Sequence, residues 1–147
     1  MIISLFLLQV LVGFFLLAVA LIDIKLRSVP AVITTGGIFV MAILFSNNIT
    51  FGVLTFILSW LLIEAEFFSG LADLKIAVFL GLLISNSTAF ILFTFLILIY
   101  GVFYKIIVKK YFKKETQDEI AFIPVFVVVY LTLVIVHYFS LVNVFSL

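Results

Sequence analysis

Every Lys, Arg, Asp and Glu in this chain falls in one of three short stretches, 23–30, 64–75 and 105–119, and what lies between them is overwhelmingly apolar. Of 147 residues, 67% are hydrophobic and 10% are charged, whereas a soluble domain carries about 25% charged residues. A surface this apolar aggregates in water, so the solvent is lipid. The length leaves room for several spans of about 20 residues joined by short loops, and for no separate soluble domain. Residues 1–147 therefore read as a single all-α domain of a polytopic membrane protein. With no cysteine in the chain, disulfides, thiolate zinc sites and a cysteine nucleophile are ruled out. The first 22 residues lack a basic leader and a small-residue cleavage site, so they read as a retained span.

The polar interruptions divide the chain into about six transmembrane helices, near 2–22, 31–46, 50–67, 70–85, 88–108 and 120–143. Ser46-Asn47-Asn48 and Ser85-Asn86-Ser87 mark two of the breaks. The fourth span is short. The run from Lys75 to Asn86 covers about 15 Å of helix, or half the hydrocarbon thickness. To cross, this helix must start near Gly70, which draws Asp73 and Lys75 toward the membrane, where charged residues are costly and usually functional.

With six spans, all three charged stretches share one face. The positive-inside rule makes that face cytoplasmic and puts both termini outside, with the chain a multi-pass protein of the plasma membrane. The opposite loops hold Asn48-Ile-Thr and Asn86-Ser-Thr, glycosylation-type sequons that fit an external face. A five-span alternative merges 76–108 into one helix, but it places the lysines from Lys109 to Lys114 opposite Lys25 and Arg27. Asp23 and Asp73 share a face in either layout.

Two carboxylates held close together cannot both ionise cheaply, so the pair shares a proton. One member can then activate water while the other, protonated, polarises a carbonyl, the division of labour of an aspartic protease. The bland reading is that each Asp caps a helix or marks the interface, and spacing alone does not separate the two.

The local sequences add a resemblance. Asp23-Ile-Lys25-Leu-Arg27-Ser-Val-Pro30 resembles the first aspartate motif of the type IV prepilin peptidases, a family that includes the archaeal preflagellin peptidases. Gly70-Leu-Ala72-Asp73-Leu-Lys75 is similar to that family's GxGD motif, with Ala72 in place of the second glycine. Phe122-Ile-Pro124-Val-Phe126 resembles the proline-containing segment that opens a late helix. The motifs occur in family order and span essentially the whole chain. The resemblance implies a membrane aspartic endopeptidase with Asp23 and Asp73 as the catalytic pair and no metal or other cofactor. It would remove the basic leader, a class III signal peptide, from membrane-inserted pilin-like or archaellin-like precursors at the cytoplasmic face. The cysteine-bearing domain of the bacterial members has no counterpart, so the resemblance is to the minimal archaeal form, cleaving without methylating.

Lys25, Arg27 and Lys75 could stabilise an ionised aspartate, or simply crowd a cytoplasmic face as basic residues do. Glu64 and Glu66 could bind a basic leader, since opposite charges attract strongly near a low-dielectric surface, or form a solvated helix end. The stretch from Lys109 to Glu119 reads as a solvated loop meeting anionic lipid. Gln9 and His137 read as interhelical hydrogen-bonding residues, and Gly36-Gly37 as a packing notch. No basic patch with interleaved aromatics suggests nucleic acid. The alternative of another class is a small ion-coupled transporter using Asp23 and Asp73 as relay carboxylates. It calls for a polar path across the bilayer, and the apolar outer halves and unbroken helices do not suggest one. A third possibility, a silent assembly subunit, gives an aspartate pair no purpose.

Overall fold

Proline and asparagine stand at several of the breaks between the helices. The computed structural model describes residues 2–26, 28–112, 121–139 and 144–145. Helix α1 (Ile2–Leu26) stops short of Pro30, because a residue that precedes proline is pushed out of the helical region. Pro30 then starts α2 (Ala31–Leu44), its carbonyl accepting the Ile33 amide at 3.0 Å. A single 3-10 turn, Ser46–Asn48, leads into α3 (Ile49–Glu64). Glu66 turns the chain in the left-handed region at φ 55°, and α4 (Leu71–Gly81) follows. Asn86 caps α5 (Ser87–Phe112) by accepting the Ala89 amide at 2.9 Å. Helix α6 (Ile123–Tyr138) carries Pro124 in its first turn, where the missing N–H costs nothing.

The described residues are thus all-helical, with six α-helices and only one isolated bridge, between Ile84 and Phe145. Three stretches are long and apolar enough to cross a membrane: Phe6–Leu26, Ser46–Glu64 and Ser87–Tyr111. The helices at 31–44 and 123–138 are apolar but shorter.

Helix α4 differs in kind. Its 11 residues make about 16 Å of helix, too little to cross alone, and seven of them are buried: Asp73, Leu74, Ile76, Ala77, Phe79, Leu80 and Gly81. A helix apolar on nearly every side belongs inside a bundle. Helices α2, α3 and α6 all pack on α4, so protein rather than lipid surrounds it and its length is free of bilayer thickness. Glycines permit the closest approach: a Cβ at Gly81 would collide with Thr55 of α3, and one at Gly52 would lie 2.6 Å from Leu82 Cδ2.

Helices consecutive in the chain run back and forth, so the two ends of the bundle gather different residues. The ends of α1, α3 and α5 and the starts of α4 and α6 meet at one end. At the other, the Asn48 amide donates to the Leu82 carbonyl at 3.0 Å, and the Ser85 N–H to the Val144 carbonyl at 2.9 Å. Asn48 is buried and Asn86 caps α5, so both sequon asparagines serve the fold. Of the glycine pair, Gly37 packs, with Phe15 Cζ 3.1 Å from where its Cβ would be; Gly36 faces open space. The expected interhelical bonds take another form. The Tyr130 hydroxyl donates to the main-chain carbonyl of Gln9 at 2.7 Å, while the buried Gln9 side-chain amide has no partner among the described residues. His137 Nδ1 accepts the Val144 amide at 3.4 Å, a contact with the C-terminal segment rather than another helix.

Candidate active site

Asp23 sits in the last turn of α1 with its side chain buried. Its Oδ2 accepts the Ile123 amide at 3.1 Å. Ile123 is the first residue of α6, and its N-cap, Phe122, supplies no side-chain cap. The first turn of a helix leaves amides unpaired and carries positive dipole charge. A carboxylate from α1 therefore caps α6 across a sequence separation that no local pattern spans.

Asp73 is held from within its own turn. It occupies the third position of α4 and is 2% exposed. Its Oδ2 accepts the Ser69 amide at 2.8 Å and the Ser69 hydroxyl at 2.6 Å. The carboxylate thus reaches back over the start of its own helix and fixes the turn that leads into it.

The two carboxylates are held at the same end of the bundle: Asp23 is bonded to the residue after Phe122 and Asp73 to the residue after Phe68, and those two rings lie 5.1 Å apart, with the Tyr104 ring 6.4 Å from Phe122. The surroundings are aromatic. Phe122 packs edge-on against Phe67 and Phe126 at centroid distances of 5.5 and 5.8 Å, and Phe68 lies 5.1 Å from it. Phe68, Phe122 and Phe126 are buried. Such walls keep the local dielectric low, which strengthens any electrostatic interaction within them.

The other residues singled out in the sequence take varied places. Glu64 ends α3 and Glu66 follows it; both are exposed at this same end. The Glu66 carbonyl accepts Lys105 Nζ at 2.8 Å, so a cation already stands beside that turn. Lys75 donates to Thr35 Oγ1 on α2 at 2.9 Å. Lys25 and Pro30 are exposed, and Pro124 is half-buried in the first turn of α6. Ala72 packs against the core. Gly70 has extended backbone, and a Cβ there would meet nothing within 4 Å. Arg27 and 113–120, most of the basic and acidic loop, lie outside the described residues. Among the described residues no group of three His, Cys, Asp or Glu side chains could hold a metal.

Three residues of the site escaped the sequence reading. Ser69 directly precedes the Gly70-Leu-Ala-Asp73 stretch, one turn back from the carboxylate it bonds. Tyr104 and Lys105 lie in the last turns of a long apolar helix, where nothing local marks them. The Tyr104 hydroxyl donates to the Ala121 carbonyl at 2.7 Å, and Lys105 Nζ lies 4.8 Å from the centre of the Phe67 ring. No family model matches the chain, and neither does any curated protein or solved structure.

Proposed function

We propose that the chain is a membrane aspartic endopeptidase that removes the basic leader from pilin-like or archaellin-like precursors at the cytoplasmic face. One observation carries the reading. Two buried aspartates from different helices, Asp23 and Asp73, are bonded to the backbone beside the packed rings of Phe122 and Phe68 at one end of the bundle. A bilayer protein rarely keeps acidic side chains at such depth without a use for them. The motifs around both aspartates and around Pro124 support the substrate class, and the six-span layout with external termini belongs to the same proposal.

In the reaction, the ionised carboxylate takes a proton from water as the oxygen attacks the scissile carbonyl. The protonated carboxyl donates its hydrogen to the carbonyl oxygen. Collapse of the tetrahedral intermediate breaks the C–N bond, and a proton passes to the departing amine. The shared proton returns to the pair, so no metal is called for.

Co-expression with a leader-bearing pilin-like or archaellin-like precursor tests the proposal. The wild-type protein converts the precursor to a faster-migrating band on a gel, while Asp23→Asn and Asp73→Asn leave it uncut despite normal membrane insertion. Full cleavage by both variants sinks the idea.

A further inference from the structure

Each aspartate is positioned by the loop that precedes a helix, and one face of α5 holds both loops. Asp23 receives the Ile123 amide, and the chain just before it, at Ala121, has its carbonyl bound by the Tyr104 hydroxyl at 2.7 Å. Asp73 receives the Ser69 amide and hydroxyl, and the chain just before that, at Glu66, has its carbonyl bound by Lys105 Nζ at 2.8 Å. The ring following each bound carbonyl is gripped as well. Phe122 packs edge-on to Tyr104 at 6.4 Å, and Phe67 lies beneath the Lys105 ammonium at 4.8 Å. Both rings sit at Gly101, where a Cβ would come within 2.8 Å of Phe122 Cζ and nearer still to Phe67. Gly101, Tyr104 and Lys105 are three and four residues apart, so they lie on one helix face.

We infer that this face of α5 is a gauge: Tyr104 and Lys105, acting through the 121–123 and 66–69 loops, set the separation of Asp23 and Asp73. The two are positioning residues, and the inference rests on the peptidase reading for its catalytic consequence. Its geometric content stands apart from that reading. A hydroxyl and an ammonium on neighbouring residues each fix a main-chain carbonyl, so a shift of α5 moves both loops together. Loss of either bond frees one aspartate relative to the other. Because a displacement of about 1 Å at a reacting group costs on the order of 100-fold in rate, the gauge acts on turnover rather than on substrate binding.

The test uses the full chain in membranes, with two readouts. The chain contains no cysteine, so spin labels at Ile24→Cys and Leu71→Cys, both exposed positions beside the aspartates, report the separation without touching either carboxylate. The expected result is one narrow distance distribution in the otherwise wild-type background and a broader or shifted one in Tyr104→Phe and in Lys105→Met. Lys105→Arg, which keeps a cationic donor over Phe67, restores the narrow distribution. In precursor cleavage, Tyr104→Phe and Lys105→Met lower kcat by roughly 10- to 100-fold with KM unchanged, and Lys105→Arg recovers most of it. An unchanged distance distribution in both loss variants overturns the gauge, whether or not their activity falls. Wild-type protein that leaves every precursor uncut removes the peptidase reading, and the distance measurement then decides the gauge by itself.

Discussion

Asp23 and Asp73 do similar things by opposite means. Each ends as a buried carboxylate bonded to amides at the start of a helix. Asp73 obtains its partners from its own turn, at Ser69, whereas Asp23 takes its amide from Ile123, near the far end of the chain. The position of Asp73 is therefore fixed as soon as α4 forms. That of Asp23 exists only once α1 and α6 have packed together, which they do along much of their lengths. A pair built this way has one local member and one that reports the assembled bundle. Changes in tertiary packing are expected to reach catalysis through Asp23.

The largest effects are expected from removing the proposed acid–base chemistry while leaving the caps in place. Asparagine keeps an acceptor oxygen, so Asp23→Asn can still bind the Ile123 amide and Asp73→Asn the Ser69 amide. Each is expected to lower cleavage by about 10²- to 10⁴-fold with little change in thermal unfolding. The alanine variants break the comparison open: Asp23→Ala also uncaps α6, at about 0.5–2 kcal/mol, a loss that its asparagine counterpart does not share. Equal unfolding temperatures for Asp23→Ala and Asp23→Asn in detergent would show that the Ile123 contact contributes nothing to stability.

Ser69→Ala comes next, because it acts on the local member alone. It deletes the 2.6 Å hydroxyl bond to Asp73 and leaves the Ser69 amide in place. A hydrogen bond contributes about 0.5–1.5 kcal/mol net, so unfolding should shift by that order and cleavage should fall. The distance between α1 and α6, read by labels placed on those helices, should not move. A change there would mean that Asp73 is coupled to the assembled bundle as closely as Asp23 is.

The same contrast explains what could be read from sequence. Helix boundaries were legible because their signals are local: Pro30 breaks α1 from α2, Asn86 caps α5, and Gly70-Leu-Ala-Asp73 begins α4. That the aspartates share an end followed from counting the apolar runs between them. What α4 becomes was harder, since its 11 residues were measured against lipid although its neighbours are protein. The grip of Tyr104 on Ala121 and of Lys105 on Glu66 joins residues remote in sequence, and no periodicity encodes such a pairing. Gln9 shows the reverse failure. A buried amide in an apolar span suggests a bond across helices, yet the bond there runs from Tyr130 to the Gln9 main chain and leaves the side chain unpaired.

That unpaired amide gives the next prediction, at the end of the bundle away from the aspartates. A buried polar group without a partner costs about 1–3 kcal/mol, and leucine matches glutamine closely in bulk. Gln9→Leu should therefore stabilise the protein by up to that amount in detergent unfolding and leave cleavage unchanged. Destabilisation would reveal a partner for the amide, and a loss of cleavage would show that the two ends are coupled.

The smallest effect is expected at Gly70, inside the motif itself. The resemblance to GxGD sequences assigns a glycine here, yet the backbone is extended and a Cβ would meet nothing within 4 Å. Any residue can adopt that conformation, and the Ser69 amide and hydroxyl that hold Asp73 are untouched by the change. Gly70→Ala should therefore change stability by no more than about 0.5 kcal/mol, the range of an ordinary surface substitution. Cleavage then carries the information. Unchanged activity means that Asp73 works from the turn it occupies here, held by Ser69. Lost activity at unchanged stability means that the 66–70 turn must pass through a left-handed backbone that only glycine reaches cheaply, in which case the local member of the pair is the one that moves.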